Sequence, residues 1–260
     1  MNRPQPRELE VIRCAYITPH MLRVTLGGGE LESFPAGQES AYVKLLFPRN
    51  DLQKPLMRTY TVSRQRKDEI DIDFALHDNP GPASCWAAQA RPGDSILVGG
   101  PGPKKLVNRD ADWFLLAGDM TALPALSVNL DLLPENARGY LVVEVPDEGD
   151  IQNLPHPRGI EVHWVVNKGD AEVLALANKV KALPWLPGQA AVWAACEFSG
   201  MRSLRQYFRQ QRTVPSSHLY ISSYWKQGRS EDEHKTLKRQ DAESDRVATG
   251  GGEALAAQAG

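Results

Sequence analysis

Cysteine is scarce in this 260-residue chain: Cys14, Cys85 and Cys196 are odd in number and far apart. That argues against a disulfide framework and against the paired spacing of a zinc site, and it points to core thiols in a reducing compartment. No apolar run approaches the ~20 residues that span a bilayer, and the opening MNRPQPRELEVIRCAYI lacks the apolar stretch of a signal peptide. A cytoplasmic protein without membrane insertion is therefore expected. An excess of charge of one sign is also missing, since 30 Lys and Arg stand against 32 Asp and Glu. No nucleic-acid partner is expected from that balance. The six histidines form neither H-E-x-x-H nor another compact ligand pattern, so no metal site is expected. The dinucleotide fingerprint G-x-G-x-x-G is absent as well.

What is present is an ordinary globular composition, 42% hydrophobic and 24% charged, over a length that suits two cores. Up to about residue 110 the chain reads as short strands between turns: ELEVIRCAYI, HMLRVTLG, AYVKLLF, RTYTVSR, IDIDFALH and SILVG. In IDIDFALH, Ile70, Ile72, Phe74 and Leu76 fall on one face and Asp71, Asp73, Ala75 and His77 on the other, the pattern of a half-buried strand. An antiparallel barrel of about six strands is expected. From residue 111 the rhythm becomes strand, helix, strand, and runs such as WFLLAG and AAVWAA are apolar almost throughout. Strands covered by helices on both faces read that way, so a doubly wound parallel sheet is expected over 111–225. Residues 226–260 turn first charged and then rich in Gly and Ala. A short exposed helix with a disordered end is expected there.

Three local patterns carry chemistry. In GPASCW, residues 81–86, Gly81 permits a tight turn and Pro82 fits a first helical position, so the next amides point unpaired from a helix start. Such a start receives phosphate. Ser84 adds a hydroxyl donor, and Arg58 adds the planar cation that a diphosphate favours. The competing reading of GPAS is an ordinary capped turn. The second pattern, AGDMTALPAL at 117–126, ends the first strand of the parallel domain, where ligands bind in open α/β sheets, with Thr121 as the expected helix cap; taken alone it reads only as a turn. The third, ACEFSG at 195–200, ends the fourth candidate strand, with Ser199 as the expected cap and Cys196 read as a buried hydrophobe rather than a nucleophile.

As an ordered set, RTYT (58–61), DFALH with GPASCWA (73–87), GDMTALPAL (118–126), CEFSGMRSLR (196–205) and SYWKQGR (223–229) resemble the siderophore-interacting protein family. These are flavin-dependent ferric-siderophore reductases of the ferredoxin-reductase-like superfamily, and the resemblance runs over about residues 8–235. It implies an FAD-binding antiparallel six-stranded β-barrel over 1–110 and an NAD(P)H-binding α/β domain over 111–225. It assigns Arg58 to the FAD diphosphate, Tyr60 to packing on the isoalloxazine or ribityl, and Thr61 to a hydrogen bond near the reactive edge. Thr59 completes that strand. His77, the turn Gly81, Pro82, Ala83 and Ser84, and Trp86 near its end complete the FAD site. Gly118, Asp119, Thr121, Ala122, Glu197, Tyr224 and Trp225 join the cofactor-binding set through the later motifs. The sequence departs from the family pattern at Ser63, where arginine is common, at Met120, where GDET is usual, and at Cys196, where Gly-Glu is usual.

The implied chemistry needs no catalytic side chain: a nicotinamide reduces the flavin, which passes single electrons to ferric iron. Ferric catecholates are anionic, so a basic rim drawn from Lys54, Arg64, Lys226 and Arg229 is expected at the flavin, with Arg66, Lys235, Lys238 and Arg239 as further candidates. At the ends of the second and third parallel strands Asp147 and Glu148 disfavour a 2′-phosphate and Lys168 favours it, for a slight lean to NADPH. A monomer is expected. Two alternatives stay open: a general flavin or ferredoxin-type reductase with another acceptor, and a flavin-bearing siderophore-binding protein without turnover.

Overall fold

A computed structural model describes residues 5–48, 55–77, 80–168 and 171–256, with side chains described as far as residue 245. Six strands, β1 (Arg7–Thr18), β2 (Met21–Gly27), β3 (Tyr42–Phe47), β4 (Leu56–Gln65), β5 (Glu69–Ala75) and β6 (Ser95–Gly99), close an antiparallel barrel in the order β1-β2-β5-β4-β3-β6. Alternation builds it: Val43, Leu45 and Phe47 of β3 are buried, while Tyr42, Lys44 and Leu46 are not. The helix α1 (Pro82–Gln89) adds Ala83 and Ala87 to the barrel core.

The β5 alternation holds for Ile70, Ile72 and Phe74 and fails for Asp71, which is buried. Its carboxylate accepts from Thr25 Oγ1 at 2.7 Å and from Arg66 Nη2 at 2.6 Å. Burial works against that charge, but the Arg66 and Thr25 hydrogen bonds outweigh it and hold the carboxyl below its ordinary range. Arg66 is consequently a partner of Asp71 and not a free cation. Opposite, β4 is interrupted by a register shift between Val62 and Arg64. Ser63 sits in that bulge and donates from Oγ to the Asp71 carbonyl at 3.0 Å.

The second half is a parallel sheet of β7 (Trp113–Asp119), β8 (Arg138–Val145), β9 (Gly159–Val166), β10 (Ala190–Glu197) and β11 (Leu219–Trp225), in the order β11-β10-β7-β8-β9. Helices α2 (Leu123–Asp131), α3 (Ala175–Ala182) and α4 (Phe198–Gln206) cover it, with separate apolar clusters on the two faces. β7 and β10 are buried at every position, as strands covered on both faces must be. Between β8 and β9 there is no α-helix, only the 3-10 turn Glu148–Asp150.

The two halves meet through specific groups. α2 lies against β4, and Met21 of the barrel packs in the core of the sheet domain. The fully buried Asp150 accepts from the His20 backbone N at 2.9 Å and contacts its Nδ1 at 2.7 Å.

The C-terminal expectation needs correction. α5 (Glu231–Ala256) is one 26-residue helix, not a short one, and it runs on into the Gly/Ala segment as far as Ala256, with residues 257–260 outside the described residues. Its start is a reciprocal cap: Ser230 N donates to Glu233 Oε2 at 2.8 Å and Glu233 N to Ser230 Oγ at 3.4 Å. It is also docked. His234 is buried with Nε2 2.9 Å from Ser223 Oγ, and Arg205 of α4 forks Asp241 at 2.7 and 2.9 Å. Among the described residues no helix is long and apolar enough to cross a membrane.

Candidate functional site

The register of β4 sorts the RTYT residues. Arg58 pairs with Leu45 and Tyr60 with Val43, so they share a face with buried residues; Thr59 and Thr61 pair with Lys44 and Tyr42 on the other face. The Tyr60 ring lies 4.4 Å from Phe74, with the buried Ser84 beside its phenol. Burial pushes that phenol up, so it is neutral and able to donate. Trp86 stands at 6.0 Å from Phe74 and 5.9 Å from Phe47, which makes Tyr60 and Trp86 parts of one aromatic cluster.

Ser84 belongs to the first turn of α1, so Tyr60 brings the strand beside that helix start. There Gly81 is the N-cap and Pro82 enters the first turn, with no side-chain cap and no acidic residue. Nothing lies within 4 Å of where a Cβ at Gly81 would stand. Open amides, free space and a guanidinium two residues along β4 from Tyr60 are a donor set that fits a diphosphate. The Ser84 hydroxyl, expected on the phosphate, lies beside the Tyr60 phenol, and the Ala83 and Ser84 amides are further donors. His77 is exposed in the loop after β5.

Arg58 itself meets α5. Its Nε lies 3.6 Å from Glu231 Oε2 and its Nη1 3.7 Å from Asp232 Oδ2. Thr59 Oγ1 donates to Glu231 Oε1 at 3.1 Å and also contacts Lys44 Nζ. Lys235 pairs with Glu231 at 3.0 Å, and Lys238 Nζ donates to Ser222 Oγ at 2.7 Å. Burial lowers both Lys44 and Lys238 from the usual lysine value.

At the carboxyl edge of the sheet, carboxylates close the helix starts. Asp119 Oδ1 accepts from the Thr121 amide at 3.0 Å and from its hydroxyl, and Asp119 Oδ2 accepts from Trp225 Nε1 at 2.8 Å. Asp119 is therefore the cap, and Thr121 is the residue capped. Glu197 likewise replaces Ser199 as the cap of α4, accepting from the amides of Ser199 and Gly200. Gly118 is demanded by packing, since a Cβ there would stand 2.7 Å from Ala122 Cβ and 2.8 Å from the Ala195 carbonyl. Tyr224 turns toward the core, edge-on to Trp193 at 6.5 Å, with its phenol raised by burial. Cys196 is buried, and burial pushes its thiol well up, as an inert core residue requires.

The expected basic rim is largely spoken for. Lys226 Nζ reaches Glu197 Oε1 at 3.0 Å and Ser199 Oγ at 2.9 Å, and Arg229 pairs with Glu233 at 3.2 Å. Arg64 is exposed on β4, and Lys54 lies outside the described residues. The positive excess sits elsewhere: Lys44, Arg58, Lys235 and Lys238 stand against Glu231 and Asp232. Lys44 escaped sequence reading because one lysine on an outward strand position carries no signal; the acids of α5 were visible only as a charge run. Lys168 is exposed just beyond β9, Asp147 caps the turn after β8 through Gly149 N at 2.9 Å, and Glu148 is exposed.

Comparison with known proteins places these features in a series. Residues 10–54 and 49–105 match the siderophore-interacting FAD-binding domain model, and residues 111–228 match the siderophore-interacting protein model. Ferric vibriobactin reductase ViuB of Vibrio cholerae is 33% identical over 254 residues, spanning 89% of this chain and 93% of that protein. The siderophore-interacting protein SipS from Aeromonas hydrophila superposes with a TM-score of 0.84 at 31% identity, over 92% of this chain and 98% of its own. Ferredoxin-NADP+ reductase from Plasmodium falciparum, at 12% identity, shares the fold with a TM-score of 0.62 over 86% of this chain and 100% of that one.

Proposed function

The chain belongs to the siderophore-interacting protein family, and from that premise we propose that it is a reductase carrying electrons from NAD(P)H through FAD to a ferric siderophore. One observation supports it most: the uncapped start of α1 lies beside Tyr60, two residues along β4 from Arg58, so a diphosphate has two kinds of donor in one neighbourhood. FMN would use only half of that set. Bound there, FAD supplies the conversion between two-electron and one-electron chemistry.

The residues have positioning tasks. Arg58 and the Ala83 and Ser84 amides hold the diphosphate, with Gly81 and Pro82 shaping the turn and His77 beside it. Tyr60, fixed by Phe74 and Ser84, forms one wall of the isoalloxazine site, and Thr59 and Thr61 offer hydroxyls along the strand. Trp225, oriented by Asp119, closes the site from the sheet domain, with Thr121 and Glu197 shaping the nicotinamide approach. Lys168 is the residue toward a 2′-phosphate. No side chain acts as acid or base.

The substrate is an anionic ferric chelate, met by the positive excess of Lys44, Lys235 and Lys238. Ferrous iron is held far less tightly by hard oxygen ligands than ferric iron, so reduction releases it. A donor of the NAD(P)H type suits a protein of the cytoplasm.

The test is anaerobic mixing with NADH and NADPH, then with several ferric siderophores. The expected result is bleaching near about 450 nm, followed by faster reoxidation by a ferric catecholate than by free flavin. Absence of bleaching by either nucleotide indicates a binding protein without turnover. Equal rates with free flavin indicate a general reductase.

A further inference from the structure

The first turn of α5 sets two carboxylates against the arginine proposed to hold the FAD diphosphate. Glu231 and Asp232 approach Arg58 at 3.6 and 3.7 Å, and Glu231 also accepts from Thr59 at 3.1 Å. The side chains of Arg58 and Glu231 are 12% and 19% exposed, so solvent screens this contact only in part. Both separations nevertheless exceed hydrogen-bond range, and neither is the two-pronged fork a guanidinium makes with a strong oxyanion partner. By contrast, Arg205 of α4 forks Asp241, on the same helix as Glu231, at 2.7 and 2.9 Å. The Arg58 contact is close enough to orient the guanidinium and too loose to resist an oxyanion that forks it. A diphosphate brought to Arg58 also brings negative charge to Glu231 and Asp232, which repels them.

The rest of α5 does not depend on that contact. The Ser230–Glu233 cap, His234 on Ser223 and Asp241 on Arg205 hold the helix independently. The carboxylates themselves restrain Lys235, which lies 3.0 Å from Glu231 and 3.6 Å from Asp232. Moving them away would release a cation at the mouth.

We propose that Glu231 and Asp232 are placeholders for the FAD diphosphate: they hold Arg58 until flavin binds, are then displaced, and in leaving free Lys235 for the anionic substrate. This device rests on the flavin reading above. It makes flavin loading and assembly of the substrate cations one linked equilibrium, so each favours the other.

The experiment titrates the full-length apoprotein with FAD, following flavin fluorescence, in the wild type, Glu231→Gln/Asp232→Asn and Arg58→Ala. The double variant keeps shape and leaves the Ser230–Glu233 cap in place. It should bind FAD about tenfold more tightly, a decade being about 1.4 kcal/mol, with the advantage shrinking at about 0.5 M salt. In the wild type, acylation of the Lys235 amine, read by mass spectrometry, should become faster when FAD is added. Equal or weaker FAD binding by the double variant overturns the proposal, as does Lys235 acylation that stays constant or slows with FAD. A wild type that binds no FAD, or an Arg58→Ala variant that binds it equally well, overturns the flavin reading and the proposal with it.

Discussion

At the start of α1 no side chain caps the first turn and no acid stands in it, whereas at the start of α4 Glu197 folds its own carboxylate back onto the amides of Ser199 and Gly200. Asp119 does the same for the turn before α2. Both kinds of helix start lie where a ligand is expected in this fold, yet only the α1 start leaves its partial positive charge unanswered. The sheet-domain starts are closed internally and position neighbours instead: Trp225 through Asp119 and Lys226 through Glu197. The difference separates a place built to receive an external anion from a place built to hold protein groups still.

The comparison breaks most visibly at Arg58. Losing one charge-assisted partner costs about 1.5–3 kcal/mol, so Arg58→Ala should purify largely without flavin. The ratio of flavin to protein absorbance measures it, and full occupancy would remove Arg58 from the open site. On the closed side, Glu197→Ala removes a cap and should cost about 1 kcal/mol. That corresponds to a Tm lower by about 2–4 °C for a chain of this size, read by calorimetry. An unchanged Tm would mean that the amides at α4 find another acceptor.

A pH series sharpens the same contrast. Burial raises the Asp119 carboxyl above its ordinary value, although Thr121 and Trp225 donate to it. A raised folded value means that the folded chain holds this proton more tightly than the unfolded chain does. The stabilising contribution is complete below the ordinary carboxyl value of about 3.9 and is lost as pH rises through the folded value. Asp119→Asn cannot titrate. The stability of wild type minus that of the variant, from urea unfolding, should therefore fall as pH rises from the acid limit toward neutrality. A rising or flat difference would contradict the burial account.

Smaller effects separate the two sets of cations. Because Lys226 and Arg229 are paired to Glu197 and Glu233, alanine at both should change KM for an anionic ferric catecholate less than alanine at Lys44 and Lys235. A few-fold difference that shrinks with salt is expected, since the Debye length is about 10 Å at 0.1 M. The reverse order would return the substrate mouth to Lys226 and Arg229. The smallest effect is expected at Lys168, whose replacement by alanine should lower the NADPH to NADH ratio of kcat/KM slightly. No change there would remove it from donor selection.

Much of this was legible in the chain. The six barrel strands and the parallel sheet followed from apolar periods of two and from unbroken apolar runs, because strand burial is a local, repeating property. The family resemblance carried by RTYT, GPAS, GDMT and SYWK agrees with the domain matches across the chain. Caps were harder. Thr121 and Ser199 looked like caps because small hydroxyls favour that position, but Asp119 and Glu197, two residues earlier, accept instead from the amides of Thr121, Ser199 and Gly200. The Ser230–Glu233 cap was not read from the charge run, and the docking of α5 depends on contacts with α4 and β11.

By itself the sequence determined which residues alternate, which runs are buried on both sides, where Gly81 and Pro82 leave amides open, and which motif set the chain carries. Only the tertiary structure decided which charges are spent on one another. Lys226 on Glu197, Arg66 on Asp71 and Arg58 against Glu231 join residues 5 to 173 positions apart. Periodicity fixes a face and a depth, but electrostatic pairing depends on separations of a few ångströms that exist only once the strands and helices are packed.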